Sequence, residues 1–358
     1  MDRSWVSTDE PRARAANIFD VARLAGVSHQ TVSRVLNDHP SVRPATRQRV
    51  EEAIRQLRYR PSSAARALVT RRSRNLGLIM PGSPDFGPSS TVLAFTTAAR
   101  AAQYTVSISS VFEASPDSFR AAVESLLGQH VEAIVLVGDR RGMLDEANRI
   151  ELDVPLVAVD ASRRAGPYII SIDQYQGARL ATEHLVALGH RSIVHLAGPP
   201  DSVDGSERER GWRDVLAEHR LVSAYPLVGD WSPDSGYRLV LQALANRDFT
   251  AIFSANDQMA LGALHALTVA GVDVPREVSV IGFDDIPEAA HLTPPLTTIR
   301  QDFDELGHDL MAAVLDALDG RTPSIPPRLP QLVERESAGR AGPAPRSRAA
   351  RTGVGSQT

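Results

Sequence analysis

The chain has 358 residues, of which 42% are hydrophobic and 23% charged, so it has the composition of a globular protein with two or three domains. It contains no cysteine, which excludes disulfides, thiolate nucleophiles and cysteine metal sites. No stretch has the apolar length of a membrane span, and the first residues lack the apolar core of a secretory signal, so a cytoplasmic protein is expected.

The net charge of −4 hides an uneven distribution of charge along the chain. Residues 1–74 hold 15 arginines and 7 acidic residues, whereas residues 75–358 hold 24 arginines and 36 acidic residues. Lysine is absent, so every basic contact must come from arginine. A basic head joined to an acidic body is typical of a DNA-binding module attached to a regulatory domain.

Residues 17–36 have the apolar spacing and turn chemistry of a helix-turn-helix. Gly26 allows a turn with positive φ, and Ser28 can cap the second helix. The apolar positions are Val21, Ala22, Leu24 and Ala25 in the first helix and Val32, Val35 and Leu36 in the second. The second helix leaves outward, near its N-terminal end, His29, Gln30, Ser33 and Arg34. These side chains can meet major-groove base edges.

An ordinary helical hairpin with a solvated polar face is the alternative interpretation of this segment. A third amphipathic segment from Pro44 to Leu57 favours a closed three-helix domain instead, because three short helices can bury a common core.

From Asn75 onward, short apolar strands alternate with helices, which indicates parallel βα architecture. The predicted strands are 75–80, 104–112, 131–137 and 155–160, then 169–173, 192–198, 225–229, 250–257 and 278–285. The predicted helices are 88–102, 116–129, 142–150, 174–189, 206–220, 233–246, 256–270 and 302–319. Two doubly wound subdomains are expected, with a ligand beyond the carboxyl ends of their strands.

Polar residues directly after these strands are the candidate ligand contacts. They are Asp160, Trp231, Asn256, Asp257, Asp284 and Asp285, joined by Arg208 at the start of a helix. Carboxylates and an amide for hydroxyl groups, a guanidinium donor and an indole face together suit a sugar. Asp85 and Phe86 are further candidates for the cleft. Asp257 and Asp285 are assigned instead as helix caps, and core packing is the alternative role for Trp231.

Neither a metal site nor catalytic machinery is predicted. His184, His190 and His195 are interpreted as packing or capping residues, because no ligand pair with metal-site spacing is supported by another carboxylate. The sequence has no nucleophile elbow, phosphate-binding loop or paired-histidine zinc motif. We therefore expect a protein that is not an enzyme and needs no cofactor.

Five motifs in order carry a resemblance to a known family. They are DVARLAGVSHQTVSRVLN, TRQRVEEAIRQLRYRPSSAARAL, LATEHLVALGHRSIVHLAGP, ANDQMALGAL and SVIGFDDIPEA followed by LTTIRQDF. Between about Ile18 and Glu336 the chain resembles the lactose-repressor/galactose-repressor family of bacterial transcription regulators. One departure is Arg43, where the family usually has a small hydroxyl residue that caps helix three.

The resemblance assigns Gln30 and Arg34 to a recognition helix and the segment 64–68 to a hinge helix in the minor groove, with Leu68 as the wedge. The full predicted set of DNA contacts is His29, Gln30, Thr31, Ser33, Arg34, Asn37, Arg47, Arg66 and Leu68, with Arg47 and Arg66 on phosphates. The positions that match effector contacts are Asp160, Arg208, Trp231, Asn256, Asp284 and Gln301.

The resemblance also implies three crossings between the two subdomains of a periplasmic-binding-protein-like core, expected near Ser162, His291 and Ser324. The expected boundaries are a disordered extension at 1–16, a helix-turn-helix domain at 17–61, a hinge at 62–74, a first subdomain at 75–161 and 292–323, a second subdomain at 162–291 and 324–336, and a disordered tail at 337–358. The tail lacks a leucine heptad, so a homodimer is expected.

The sequence thus predicts a dimeric repressor that binds a pseudo-palindromic operator and responds to a sugar. A regulator with a purine corepressor is one alternative. A sugar-binding transport protein is another, which the basic head and the lack of a secretion signal disfavour.

Overall fold

The computed structural model describes residues 16–342 apart from short gaps at 37–38, 60–71, 114, 139, 148, 162–167, 223–224, 246–247 and 324. Two compact units divide the chain, residues 1–73 and residues 74–358. The helices that the structure describes are all too short or too polar to cross a membrane. Outside the described residues lie Asn37, Arg66 and Leu68 of the predicted DNA contacts, the crossing positions Ser162 and Ser324, the segment 1–15 and the segment 343–358.

The first unit contains three helices, α1 (Ile18–Ala25), α2 (His29–Leu36) and α3 (Pro44–Gln56). Gly26 ends α1 with a φ of 64°, as the sequence predicts, and the Ser28 hydroxyl accepts the Thr31 N–H at 3.2 Å at the start of α2. The side chain at Arg43 forms no cap on α3. The shared core comprises Val21, Ala22, Ala25, Val32, Val35, Val50 and Ala53.

One predicted core residue of this unit is exposed. Leu24 retains 47% of its accessible surface. The buried face of α1 is set by Val21, Ala22 and Ala25, and at 100° per residue Leu24 lies at the edge of that face. The assignment of Leu24 to the core is therefore wrong.

The first subdomain of the second unit is built on a five-stranded parallel sheet with the order β2-β1-β3-β4-β5. Its strands are β1 (Asn75–Pro81), β2 (Thr105–Val111), β3 (Ile134–Leu136), β4 (Leu156–Val159) and β5 (Ile169–Ile170). Its helices are α4 (Phe86–Ala101), α5 (Pro116–Leu127) and α6 (Arg141–Ala147), together with the much later α11 (Phe303–Leu318). Leu306 and Leu310 of α11 share a core cluster with Leu78 and Phe95.

The second subdomain has a four-stranded parallel sheet with the order β7-β6-β8-β9. The strands are β6 (Ile193–Ala197), β7 (Leu227–Val228), β8 (Ala251–Ser254) and β9 (Ser279–Ile281). The helices are α7 (Gln174–Ala187), α8 (Val203–Glu218), α9 (Pro233–Leu244) and α10 (Asp257–Val269), followed by a 3-10 turn at Pro287–His291. Helices α9 and α10 approach so closely at Gly262 that a Cβ at this position would lie 1.8 Å from the Pro233 carbonyl oxygen.

A short antiparallel pair extends this second subdomain. Strand β10 (Thr298–Arg300) pairs with β11 (Gln331–Val333), and single bridges join Ile281 to Thr297 and Asp284 to Arg300.

The three crossings between subdomains lie later in the chain than the sequence analysis expects. Strand β5 still pairs with β4, so the first crossing follows at 171–173. Strand β10 belongs to the second subdomain, so the second crossing follows at 301–302 and not near His291. Apolar patterning identifies a strand but not the sheet that it joins, which explains both errors.

The third crossing lies between Arg328 and Gln331, because Ile325 still packs against the core of the first subdomain. It runs beside the first crossing. The Arg328 N–H donates to the Ser171 carbonyl at 2.9 Å, and the Asp173 N–H donates to the Arg328 carbonyl at 2.8 Å.

The predicted disordered tail starts too early. Ser337 is fully buried, where its hydroxyl donates to the Val280 carbonyl and accepts the Thr297 N–H. The Gly339 N–H donates to the Ser279 hydroxyl at 3.0 Å, and the Ala341 N–H donates to the Leu188 carbonyl at 3.0 Å. Residues 337–342 therefore form an ordered strap on the second subdomain. The side chains of this segment are mostly small, so they form no apolar pattern in the sequence. Backbone groups make most of the hydrogen bonds that hold the segment in place.

Candidate functional site

A cleft lies between the two subdomains of the second unit, and the space inside it, open solvent included, is about 730 Å³. The first subdomain contributes a mainly apolar wall made of Phe86, Pro88, Val137, Val159, Ala161, Ile172, Phe303 and Leu306, together with Asp85 and Thr91. The opposite wall is polar and comprises Gln174, Asp204, Arg208, Trp231, Asn256, Asp284 and Gln301. A cleft with one apolar wall and several convergent polar groups is typical of a small-molecule site.

Five of the six predicted effector contacts line this cavity. They are Arg208, Trp231, Asn256, Asp284 and Gln301, and the expected neighbours Asp85 and Phe86 line it too. Asp160 does not. It lies between Val159 and Ala161, which both face the cavity, and successive side chains of an extended segment point to opposite sides. Asp160 is 4% exposed, and the structure does not place it in the cavity wall.

Four side chains of the polar wall form a closed ring of contacts, which we call the cleft ring. Arg208 Nε donates to Gln174 Oε1 at 2.9 Å, and Gln174 Nε2 donates to Gln301 Oε1 at 2.8 Å. Gln301 Nε2 then donates to Asp284 Oδ1 at 2.6 Å. The ring closes where the Arg208 guanidinium lies 3.7 Å from that same carboxylate oxygen.

Arg208 is held from several directions. Its guanidinium carbon lies 3.9 Å from the centre of the Phe283 ring and 5.6 Å from that of Trp231. One of its terminal nitrogens donates to the Ala255 carbonyl, and the carboxylate of Asp204 lies 3.9 Å away. A guanidinium that is only 5% exposed needs such partners to offset its desolvation.

Asp284 follows β9 in an unusual backbone conformation, with a φ of 113°. Its N–H donates to the Ile299 carbonyl at 2.8 Å, which anchors the residue to β10. Burial raises the pKa of Asp284 to about 6, although the Arg208 guanidinium and the Gln301 N–H favour the charged form. The negative charge of Asp85, on the opposite wall, also raises this pKa. At neutral pH the carboxylate is mainly ionised and can only accept hydrogen bonds.

Asn256 has a structural role inside the cavity wall. Its Oδ1 caps α10 by accepting the Met259 N–H at 2.9 Å, and its Nδ2 donates to the Trp231 carbonyl at 3.0 Å. Trp231 has a φ of 72°, and a Cβ on Gly198 would lie 2.2 Å from its indole. The indole therefore lies flush against glycine backbone at the cavity wall.

The predicted helix caps at Asp257 and Asp285 are wrong. Asp257 accepts the Thr298 hydroxyl at 2.6 Å and the Ile286 N–H at 2.9 Å, and burial raises its pKa well above the usual value. The carboxylate of Asp285 forms ion pairs with Arg300 and Arg335. Both residues join the loop after β9 to neighbouring segments. The side chain that caps α10 is that of Asn256.

His190 and His195 are packing residues of the second subdomain. His195 is fully buried with its ring stacked 4.7 Å from Phe253, and burial lowers its pKa to about 3. His190 contacts the Thr250 and Ser279 hydroxyls and the Gly339 carbonyl. Within the described part of the chain, no three histidine or acidic residues form a group suited to a metal ion.

On the first unit, α2 presents the predicted DNA-reading surface. His29, Gln30 and Arg34 are exposed, and Thr31 and Ser33 are half-buried. The ring of Phe19 lies 5.2 Å from that of His29, and Arg47 donates to the His39 carbonyl at 3.3 Å.

Sequence comparisons identify relatives over most of the chain. The family described as "Bacterial regulatory proteins, lacI family" matches residues 17–62, and a periplasmic binding protein-like domain matches residues 182–338. The lactose operon repressor of Escherichia coli is 36% identical over 331 residues, which cover 90% of this chain and 91% of the relative. The transcriptional regulator CelR of Thermobifida fusca is 34% identical over 91% of this chain and 99% of its own length.

Solved structures of a lac repressor and of a regulator named CelR share the fold. The lac repressor dimer bound to operator and the anti-inducer ONPF gives a TM-score of 0.84 at 34% identity, covering 91% of this chain and 100% of that one. The CelR–cellobiose complex gives 0.64 at 32% identity, covering 90% and 100%. With a helix-turn-helix unit, a two-subdomain core and relatives that match along nearly their whole length, the chain belongs to the lacI family of bacterial regulatory proteins.

Proposed function

We propose that this protein is a cytoplasmic, homodimeric transcriptional repressor whose affinity for a pseudo-palindromic operator is controlled by a sugar bound in the cleft. The exposed polar face of α2 reads base edges in the major groove, and a two-fold dimer places two such helices on half-sites about one helical turn apart.

The observation that carries the sugar assignment is the pairing of Arg208 with Asp284 at the cavity wall. A guanidinium that only donates lies 3.7 Å from a carboxylate that only accepts, and adjacent hydroxyls of one sugar ring can satisfy both. The Trp231 indole beside them offers an apolar surface for C–H groups. Relatives crystallised with cellobiose and with ONPF support the same class of ligand.

The charges of the cavity disfavour an anionic effector. Three carboxylates, those of Asp85, Asp204 and Asp284, line the space with Arg208, and the contacts of that arginine already include two of them. A phosphate group would meet net negative charge in a site of low dielectric. This argument separates the sugar proposal from ligands recognised through phosphate.

Regulation follows from linkage between the two binding events. A sugar that binds one relative arrangement of the subdomains more tightly stabilises that arrangement. Whatever factor the sugar applies to operator affinity, the operator applies to sugar affinity.

The test is a calorimetric titration of the purified protein with cellobiose, lactose, galactose, glucose and inorganic phosphate, followed by operator titration with and without the sugar that binds. DNA sites are first selected from a random library by binding to the protein, and their affinities are then measured by fluorescence anisotropy. We expect binding of at least one sugar, no binding of phosphate and a changed operator affinity. A protein that selects no DNA site, or that binds only phosphate, would contradict the proposal.

A further inference from the structure

We propose that Gln174 is a positioning residue of the effector site: it sets the direction of the hydrogen bonds around the cleft ring and so holds Arg208 and Asp284 ready for the effector. This inference rests on the proposed function, but its main test needs no effector. Sequence analysis did not single out Gln174. It is the first residue of α7, directly after the first crossing, and only 5% of its surface is exposed.

Arg208 and Asp284, which flank the two amides of the ring, allow the hydrogen bonds through those amides to run in one direction only. Arg208 can only donate, and an ionised Asp284 can only accept. The two amides between them must therefore both point their oxygens toward Arg208 and their NH₂ groups toward Asp284, as the distances record. Turning either amide over would place oxygen against oxygen at one of the junctions, or NH₂ against a guanidinium N–H.

The ring joins segments that are far apart in the chain. Gln174 follows the first crossing and Gln301 lies on the second, so their 2.8 Å hydrogen bond connects the start of α7 to the second crossing. Arg208 lies on α8 and Asp284 follows β9, both within the second subdomain. Gln174 therefore acts on the effector contacts through Arg208 on one side and Gln301 on the other.

The direction of the ring determines which atoms remain for a ligand. Asp284 Oδ1 accepts the Gln301 N–H, whereas Oδ2 has no hydrogen-bond partner among the described residues. The second terminal nitrogen of Arg208 lies 3.7 Å from Asp284 and 3.9 Å from Asp204, beyond hydrogen-bond distance. One acceptor and one donor thus stand side by side at the cavity, which matches two adjacent hydroxyls.

The first test is the pH dependence of the melting temperature of the full-length protein and of Gln174→Leu, measured between pH 5 and 8. Without Gln174, the Gln301 amide is no longer aligned toward Asp284, so the pKa of Asp284 rises further above its unfolded value. A raised pKa in the folded state favours the protonated form, so stability is retained at low pH and lost as pH rises. At each pH the deficit is the melting temperature of the parent protein minus that of Gln174→Leu. We expect this deficit to grow by about 2–4 °C from pH 5 to pH 8.

A deficit of equal size at every pH would mean that Gln174 only packs, and would overturn the proposal. Gln176→Leu, two positions further along the same helix, is the matched control. Because that side chain is not part of the ring, we expect its deficit to be independent of pH.

The second test reverses the two hydrogen bonds that Gln301 makes within the ring. Gln174→Glu keeps an acceptor for Arg208 but cannot donate to Gln301, so the Gln301 amide must turn over and its oxygen then faces the Asp284 carboxylate. Adding Asp284→Asn supplies an N–H at that position and restores a complete ring in which the two hydrogen bonds of Gln301 run in the opposite direction while Arg208 still donates to residue 174. We expect the double variant to melt higher than Gln174→Glu alone, whereas melting-temperature changes that simply add would overturn the proposal.

The effector enters only in a final comparison. For any sugar of the panel that binds the parent protein, Gln174→Leu should weaken binding about tenfold with an unchanged number of sites. Unchanged affinity would overturn the positioning role while leaving the proposed function intact. If no sugar binds the parent, the proposed function fails, and the melting experiments still decide whether Gln174 directs the ring.

Discussion

The Nδ2 group of Asn256 donates a hydrogen bond to the backbone carbonyl of Trp231 at 3.0 Å, which ties the start of α10 to the loop that carries the indole. The same amide caps α10 through its oxygen. A residue that lines the cavity thus stabilises a helix and places an aromatic contact surface, and these two roles can be separated by substitution.

Asn256→Ala removes these two bonds and a third that Nδ2 donates to Gln258 Oε1, whereas Asn256→Asp keeps the acceptor for Met259 N–H and loses both donated bonds. We expect Asn256→Ala to lower the free energy of unfolding by about 1–2 kcal/mol and Asn256→Asp to lower it less, because the cap survives only in the second variant. Urea denaturation measures both. Sugar affinity should fall in both variants, and an aspartate variant with the affinity of the parent would show that the bond to Trp231 is unimportant for binding.

Arg208→Ala and Asp284→Asn should both produce a repressor that no longer responds to its effector. Either change leaves a sugar hydroxyl and the remaining partner unsatisfied in a desolvated cleft, which costs about 2 kcal/mol or more and weakens binding over tenfold. Calorimetry measures the sugar affinity. Fluorescence anisotropy with operator DNA measures the operator affinity, which should stay close to that of the parent.

The control for this pair is Arg213→Ala on the same helix α8, where the arginine forms an ion pair with Glu209. It should bind sugar and operator like the parent. If Arg208→Ala kept its response, the arginine would be a structural residue of the second subdomain.

Arg34→Ala should lower affinity for the selected operator by about 1–3 kcal/mol and flatten sequence preference, because the residue is exposed on the helix proposed to read bases. Arg55→Ala removes the same charge from α3, where the guanidinium pairs with Glu52. We expect this variant to change the affinity for operator DNA and for random DNA by the same small factor. Equal losses on both kinds of DNA for Arg34→Ala would assign it to phosphate contact instead.

Truncation should locate the true end of the folded chain. A protein that ends at Glu336 loses the strap of residues 337–342 and leaves Thr297 N–H and the Val280 carbonyl without the Ser337 hydroxyl. We expect its melting temperature to fall by several degrees, since each buried group left unpaired costs about 1–3 kcal/mol. A protein that ends at Gly342 should melt like the full chain, and equal melting of the two truncated proteins would mean that the strap adds nothing.

Much of this architecture could be predicted from local sequence. Apolar periodicity predicts the helices and strands of both subdomains, and the polar residues after strand ends include three that line the cavity, Trp231, Asn256 and Asp284. Arg208 is expected from its place at the start of a helix, and Gln301 from the family resemblance alone. The periodicity and the strand-end signals depend on residues close together in the chain. Gly26 at a positive φ and Ser28 at the start of α2 are equally local features.

The errors have a common physical origin in long-range pairing. Whether Ile169–Ile170 joins the first or the second sheet depends on β4, and no local pattern encodes that partner. Asp160 follows its strand as the rule requires, yet the pleat turns it away from the cavity. Gln174 gave no signal at all, because its role exists only once Arg208 and Gln301 are beside it.

The late position of α11 affects how the protein can fold during synthesis. The sheet of the first subdomain emerges first, but α11, which packs with Leu78 and Phe95, is translated only after strands β6 to β10 of the second subdomain. Until residues 303–318 leave the ribosome, that apolar surface stays open to solvent and to other nascent chains. Strand β11 and the strap of residues 337–342 follow α11 in the chain, so both subdomains are completed only when the last part of the folded core has been made.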